Sequence, residues 1–375
     1  MKNKIKIISV FGTRPDAVKM APLINKLNNN KHIESIICST GQHKEMLDQV
    51  IKIFDIVPDY DLKIMKANQS LEYITSSIMS KLGQVIDKEN PDLILVHGDT
   101  TTCLVSSLTS FYKKIPIGHV EAGLRTFDMH SPFPEEMNRK LVGSLASLHF
   151  SPTLSNKNNL LKEGIDEKNI TVTGNTVIDA LNTTVTTNYT FEQEKLNSID
   201  YTNKRVITIT AHRRENIGKP LENICNAILT LSKQYDDILF IYAVHLNPAV
   251  KNIVYPMLQN KSNILLIPPV NVRDLHNLMK RSYLIMTDSG GLQEEAPSLG
   301  KPVLVLRKET ERPEAIKAGT VKLTGTNTND IIADAKLLLD DTTLYKKMAT
   351  AINPYGDGHA SEKIIDAILL YFNKQ

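Results

Sequence analysis

Acid–base catalysis takes carboxylates or imidazoles held where a substrate can reach them. One short stretch of this 375-residue chain concentrates such groups. The segment HVEAGLRTFDMHSPFPEEMNR, residues 119–139, carries Glu121, Asp128, Glu135 and Glu136 together with two arginines, and it follows a short apolar run. Singly, each acid has a plain reading. Glu121 suits a buried salt bridge, and Glu135 and Glu136 suit the first turn of a helix, which welcomes acids. Asp99, just after DLILVHG, suits a helix N-cap. Together they suit acid–base catalysis, because crowded like charges raise one apparent pKa and can leave one acid and one base near neutral pH. Glu136 reads as structural.

A second set of residues suits phosphate. Gly12 in FGTRPD allows a tight turn, Pro15 suits the start of a helix, and Arg14 stands beside them, so the turn is expected to favour an anion. His212, Arg213 and Arg214 in TAHRREN follow another apolar run, and paired arginines make a natural diphosphate clamp. Ser289, Gly290 and Gly291 in SGGLQEEAPSLG offer donors at a helix start, and Glu294 or Glu295 could accept both hydroxyls of a ribose. There is no GxGxxG dinucleotide fingerprint, no HExxH and no Cys/His cluster, so neither cofactor nor metal is expected. The DYD at Asp59–Asp61 reads as a structural bend. Cys38, Cys103 and Cys225 are isolated and read as buried apolar residues.

These residues share one property of position: nearly all of them follow short apolar runs. KIKIISVF, IESIICS, DLILVHG and IPIGHV alternate with helix-type segments. A second series begins near Arg205 with RVITITA, DILFIYAV, NILLIP, YLIMTDS and PVLVLR. Such alternation implies parallel sheets covered on both faces, whose ligands bind beyond the carboxyl ends of the strands. The expected fold is therefore α/β, with two doubly wound Rossmann-like domains facing across a cleft. Residues 1–175 form the first and 176–358 the second. The C-terminal helix, residues 359–375, has an apolar stripe at Ile364, Ile365, Ile368, Leu369 and Phe372 and is expected to pack back on the first domain. The polar stretch from Asn182 to Lys204 is expected to be the linker region. A net charge of +3, without clustered Lys and Arg, disfavours nucleic acid. No apolar run reaches the ~20 residues of a membrane helix, and the N-terminus lacks a secretory signal, so a cytoplasmic protein is expected.

In order along the chain, FGTRPDAVKMAPL, HGDTTT, GHVEAGLRT, SPFPEEMNR, TAHRREN, DSGGLQEEAPSLGKPVLVLR, ERPEAIKAGT and NPYGDG resemble the signature motifs of the non-hydrolysing UDP-N-acetylglucosamine 2-epimerases. The resemblance spans nearly the whole chain. It implies a glycosyltransferase-B-like fold, a homodimer and interconversion of UDP-N-acetylglucosamine and UDP-N-acetylmannosamine without added cofactor. It also implies a mechanism in which UDP leaves C1, a carboxylate takes the C2 proton, and a 2-acetamidoglucal is reprotonated on its other face. By motif match Asp99, Glu121 and Glu135 are the acid–base carboxylates, with the face each serves left open. His212, counted with the catalytic residues, would hold the diphosphate with Arg14, Arg213, Ser289, Gly290 and Gly291. Glu295 would take the ribose, and Lys19 and Arg312 would lie near the UDP.

Members of this family often bind a second UDP-N-acetylglucosamine as activator, and Gln42 and His245 match that regulatory pocket. Glu45, Asn68 and Ala243 depart from the residues common there, which implies weaker activation. Leu275 replaces an aromatic expected against the uracil. Three alternatives remain at this point: a glycosyltransferase of the same fold, a hydrolysing epimerase, and a non-catalytic sugar-nucleotide sensor.

Overall fold

The computed structural model describes residues 4–42 and 45–373, without the side chains of residues 45 and 46, so the side chain of Glu45 lies outside the described residues. Among them, the strands form two parallel sheets. The first contains β1 (Ile5–Phe11), β2 (Ile33–Ser39), β3 (Tyr60–Asp61), β4 (Leu93–His97), β5 (Ile117–Val120), β6 (Leu148–Ser151) and β7 (Ile170–Val172). The second contains β8 (Arg205–Thr210), β9 (Ile238–Ala243), β10 (Ile264–Ile267), β11 (Leu284–Thr287), β12 (Val303–Val305) and β13 (Val321–Leu323). Their orders are β3-β2-β1-β4-β5-β6-β7 and β10-β9-β8-β11-β12-β13. Each order reverses beside its first strand, between β1 and β4 and between β8 and β11, and those reversals open the crevices where such sheets bind ligands.

The apolar runs become strands because both of their faces are covered. All five residues of β4 are buried, and Ile94 and Val96 pack with Ile74, Ile78, Leu82 and Ile86 of the helix Leu71–Glu89. In the second sheet Ile207, Ile209, Phe240 and Tyr242 pack with Leu221, Ile224, Ile228 and Leu231 of the helix Lys219–Gln234. Asp59 and Asp61 anchor backbone, accepting from the N–H groups of Ile37 and Lys63 at 2.8 and 3.1 Å.

The chain divides into two compact units, Met1–Thr183 with Tyr355–Gln375, and Thr184–Pro354. The first thus runs past residue 175, where the sequence puts the boundary. The reason is the helix Thr176–Thr184, which buries Val177, Ile178, Ala180 and Leu181. Its Asp179 carboxylate accepts from the N–H groups of Ala360 and Ser361 at 3.1 and 2.8 Å, tying it to the helix Ala360–Asn373. That last helix buries Ile364, Ile365 and Ile368. The expected linker departs more strongly from the sequence reading. From residue 184 onward it is packed on the second unit, with Phe191 and Leu196 buried and the Arg281 guanidinium 4.6 Å from the Phe191 ring. Its burial comes from a few residues, Phe191 and Leu196 with Tyr189, Ile199 and Tyr201 packed beside them. Asp274 fixes its backbone by accepting from Glu192 and Gln193 N–H at 3.0 and 2.9 Å.

Candidate active site

In the first unit Glu121 directly follows β5, with a backbone φ of 65°. A left-handed conformation is uncommon outside glycine, and such strain collects at functional positions. The Glu121 Oε2 accepts hydrogen bonds from Lys19 Nζ and, at 2.7 Å, from Asn175 Nδ2. His97 at the end of β4 brings Nε2 to 3.9 Å from the same oxygen. Burial pushes the His97 pKa down to about 4, against the pull of Glu121 and with the push of Lys19, so a neutral imidazole backs the carboxylate. Gly98 (φ 66°) carries the chain from His97 to Asp99, and a Cβ on it would touch Glu121 Oε1 at 3.6 Å.

Asp99 is matched by a different cation. Its Oδ2 accepts from Arg139 Nε and is 2.7 Å from Arg139 Nη2, while its carbonyl accepts from Asn138 Nδ2 at 2.8 Å. Arg139 also reaches Glu136 at 2.9 Å, and Glu136 accepts from Phe127 N–H at 3.0 Å. Glu136 is buried and pins the loop to the helix Glu135–Leu145, a structural role. Glu135, half-buried at the start of that helix, has no hydrogen-bond or ion-pair partner among the described residues.

The turn after β1 differs from the sequence expectation. The N–H groups of Gly12 and Thr13, expected to favour a bound anion, donate at 3.1 and 2.7 Å to Asp16 of the chain itself. Asp16 closes a capping box at the start of the helix Arg14–Asn28, and burial raises its pKa to about 6 despite these hydrogen bonds. Gly12 is required there, since a Cβ would lie 2.0 Å from Thr40 Oγ1 and 2.5 Å from Thr102 Oγ1. Thr40 and Thr102 are hydrogen-bonded at 3.0 Å, and Thr102 donates to Gln42 at 2.8 Å, so Gln42 is anchored beside this turn. Arg14 is half-buried.

In the second unit another buried aspartate holds the turn after the first strand. Asp288 directly follows β11, is fully buried, and accepts on Oδ2 from the N–H groups of His212 and Arg213 at 2.7 and 2.8 Å and from Asn216 Nδ2 at 3.0 Å. The exposed His212 ring stacks on His245, centroids 4.9 Å apart and planes 9° apart. Arg213 leans on Glu311 at 3.5 Å. Ser289 is the N-cap of the helix Gly290–Ser298, but its side chain makes no capping hydrogen bond. A Cβ on Gly290 would lie 3.2 Å from the Arg312 guanidinium carbon, so that cation sits close over the helix start. Glu294 is buried and accepts from Arg312 Nε at 2.8 Å, whereas the less buried Glu295 lies 3.3 Å from His276 Nε2. His276 in turn is bonded through Nδ1 to Thr184 at 2.6 Å. Leu275 is half-buried in the helix Val272–Arg281, Ala243 ends β9, and Asn68 is exposed at φ 53°.

The structure thus brings Lys19, Glu121, Asn175 and His97 together, and separately His212 with Asp288 and His245, and Arg312 with Gly290 and Glu294. Sequence reasoning missed Asp16, Asn175, Arg139, Asp288 and His276. Of these, Asp288 was within reach of the strand-end rule that found the others.

A model of the UDP-N-acetylglucosamine 2-epimerase family matches residues 25–369. A relative from Thermotoga maritima is 58% identical over 368 residues, covering 98% of this chain and 97% of that one. The UDP-N-acetylglucosamine 2-epimerase of Bacillus subtilis is 50% identical over 369 residues, covering 98% and 96%. Among solved structures, the UDP-GlcNAc 2-epimerase from Neisseria meningitidis bound to UDP-GlcNAc superposes with a TM-score of 0.87 at 49% identity, covering 98% of this chain and 100% of that one.

Proposed function

The chain belongs to the family of UDP-N-acetylglucosamine 2-epimerases, and from that premise we propose that it interconverts UDP-N-acetylglucosamine and UDP-N-acetylmannosamine without releasing free sugar. The C2 hydrogen has no neighbouring carbonyl to acidify it. The C1–O bond therefore breaks first, UDP takes the electron pair, and the ring oxygen stabilises the cation at C1. A carboxylate removes the C2 proton, which gives 2-acetamidoglucal with its double bond between C1 and C2. Protonation at C2 from the other face and return of UDP to C1 complete the inversion. The sequence is redox-neutral, so this chain's own acid–base groups and phosphate donors suffice.

The observation that carries this reading is Glu121, a strained strand-end carboxylate held by Lys19 and Asn175. Asp99 and Glu135 are its proposed acid–base partners. His212, Arg14, Arg213, Ser289, Gly290, Gly291 and Arg312 would hold the diphosphate, and Glu295 the ribose. Formation of both UDP-sugars from either one, with no free N-acetylmannosamine, is the expected result of product analysis by NMR. Free sugar would favour the hydrolysing alternative, and transfer only to an added acceptor would favour a glycosyltransferase. The product would feed bacterial surface polysaccharides. A homodimer, and weak activation by a second UDP-N-acetylglucosamine at Gln42 and His245, complete the proposal; light scattering and rate curves without sigmoidicity are the expected checks.

A further inference from the structure

Asp288 does more than its hydrogen bonds explain. Three donors converge on its Oδ2, which anchors the turn after β8. Its Oδ1 is equally buried and has no hydrogen-bond partner. A desolvated carboxylate oxygen without a donor is costly, and retaining one calls for a reason. The His212 imidazole brings its Nδ1 to 3.7 Å from this oxygen. The His212 backbone is already fixed by the other oxygen of the same carboxylate. A small rotation about the side-chain bonds alone would close the remaining gap.

We infer that Asp288 is the positioning residue for His212, taking the imidazole Nδ1–H on its Oδ1 so that Nε2 is presented to the departing diphosphate; this rests on the function proposed above. The pairing fixes which ring nitrogen carries the proton, and the negative charge stabilises the imidazolium, which can then donate from both nitrogens. His245, after β9, stacks on a face of the ring, and a second cation there would oppose protonation. Arg213, next along the chain, is turned to Glu311. Asp288 is thus an anionic group that faces the ring. In the unpaired alternative Asp288 serves only to anchor the turn through Oδ2.

The test is an NMR pH titration of the ring nitrogens of His212 in the full chain without substrate, assigned by loss of the signal in His212→Gln. In the wild type the neutral ring is expected to be protonated on Nδ1. In Asp288→Asn, which keeps size and an acceptor for the turn, the proton affinity of His212 falls about tenfold. In turnover, kcat of Asp288→Asn falls about tenfold or more while KM changes less than about threefold. Asn216→Ser, which loosens the turn but spares the charge, leaves the titration where it is. An unmoved titration in Asp288→Asn, or an equal shift in Asn216→Ser, overturns the inference. Should Asp288→Asn fail to fold, the wild-type tautomer decides, and a neutral ring protonated on Nε2 overturns it. Because the titration needs no substrate, it stands even where a wild type inactive on UDP-sugars would refute the proposed function instead.

Discussion

The two units solve the same geometric problem with opposite chemistry. Each has a crevice where strand order reverses, and in each a buried aspartate holds the turn after the first strand. In the first unit that aspartate, Asp16, consumes the turn's N–H groups, so the chain fills its own anion site. What then projects from the strand ends is carboxylate, with Glu121 matched by Lys19 and Asp99 by Arg139. In the second unit the aspartate follows the neighbouring strand, and the helix start at Ser289 to Gly291 lies beside Arg312. Helix amides and a guanidinium are the natural partners of a phosphate. In both units the turn donors after the first strand are thus spent on an aspartate, and the difference lies at the next strand end, where the helix start after β4 is capped by the Thr100 side chain and the one after β11 is not capped by that of Ser289.

The contrast can be broken most severely at Glu121. Glu121→Gln keeps shape and hydrogen bonding but not proton transfer, and kcat is expected to fall about 10³-fold with little change in thermal stability. A loss under tenfold would move the acid–base role elsewhere. The next effect is acid sensitivity. Burial holds His97 and His149 down at about 4 and His119 at about 3. The unfolded chain protonates these rings below pH 6.5 while the folded first unit does not, so its stability falls as pH drops from about 6.5 towards 4. Asp16, raised to about 6, works the other way between about pH 6 and 4, one group against three. In the second unit Glu311, held at about 2 by Arg307 and Arg312 against burial, loses its contribution only below about pH 4.5. Hydrogen exchange read by mass spectrometry at pH 7 and pH 5 should show the first-unit strands loosening first; equal loosening would contradict this.

Two smaller effects sharpen the comparison. Gly12→Ala forces the Thr40 and Thr102 hydroxyls apart and is expected to cost about 1–3 kcal/mol, read as a lower midpoint in denaturant. Glu295→Gln removes the charge offered to the ribose diol; KM for the UDP-sugar is expected to rise about tenfold, with kcat retained. A kcat effect without a KM effect would place Glu295 away from the nucleotide.

The strands, their alternation with helices and the residues at their carboxyl ends were legible because buried parallel strands read as continuous apolar runs. Glu121, Asp99, His212 and Ser289 are all found that way. Their pairings were not legible, because the two members lie far apart along the chain: Asn175 meets Glu121 across 54 residues, Arg139 meets Asp99 across 40, and His212 meets Asp288 across 76. Nothing local marks such pairs. The turn at Gly12 misled for a different reason. Its glycine, arginine and proline do describe an anion-favouring turn, but the anion is Asp16, two residues beyond Arg14. The polar stretch before Arg205 misled because its few large apolar residues, not its average composition, dock it on the second unit.

The central claim is that UDP leaves C1 while a protein carboxylate carries the C2 hydrogen away. Turnover of UDP-N-acetylglucosamine in deuterated water, followed by NMR, tests it most directly. Deuterium at C2 of both UDP-N-acetylglucosamine and UDP-N-acetylmannosamine is the predicted result. Epimers formed with the original hydrogen still at C2 would contradict it.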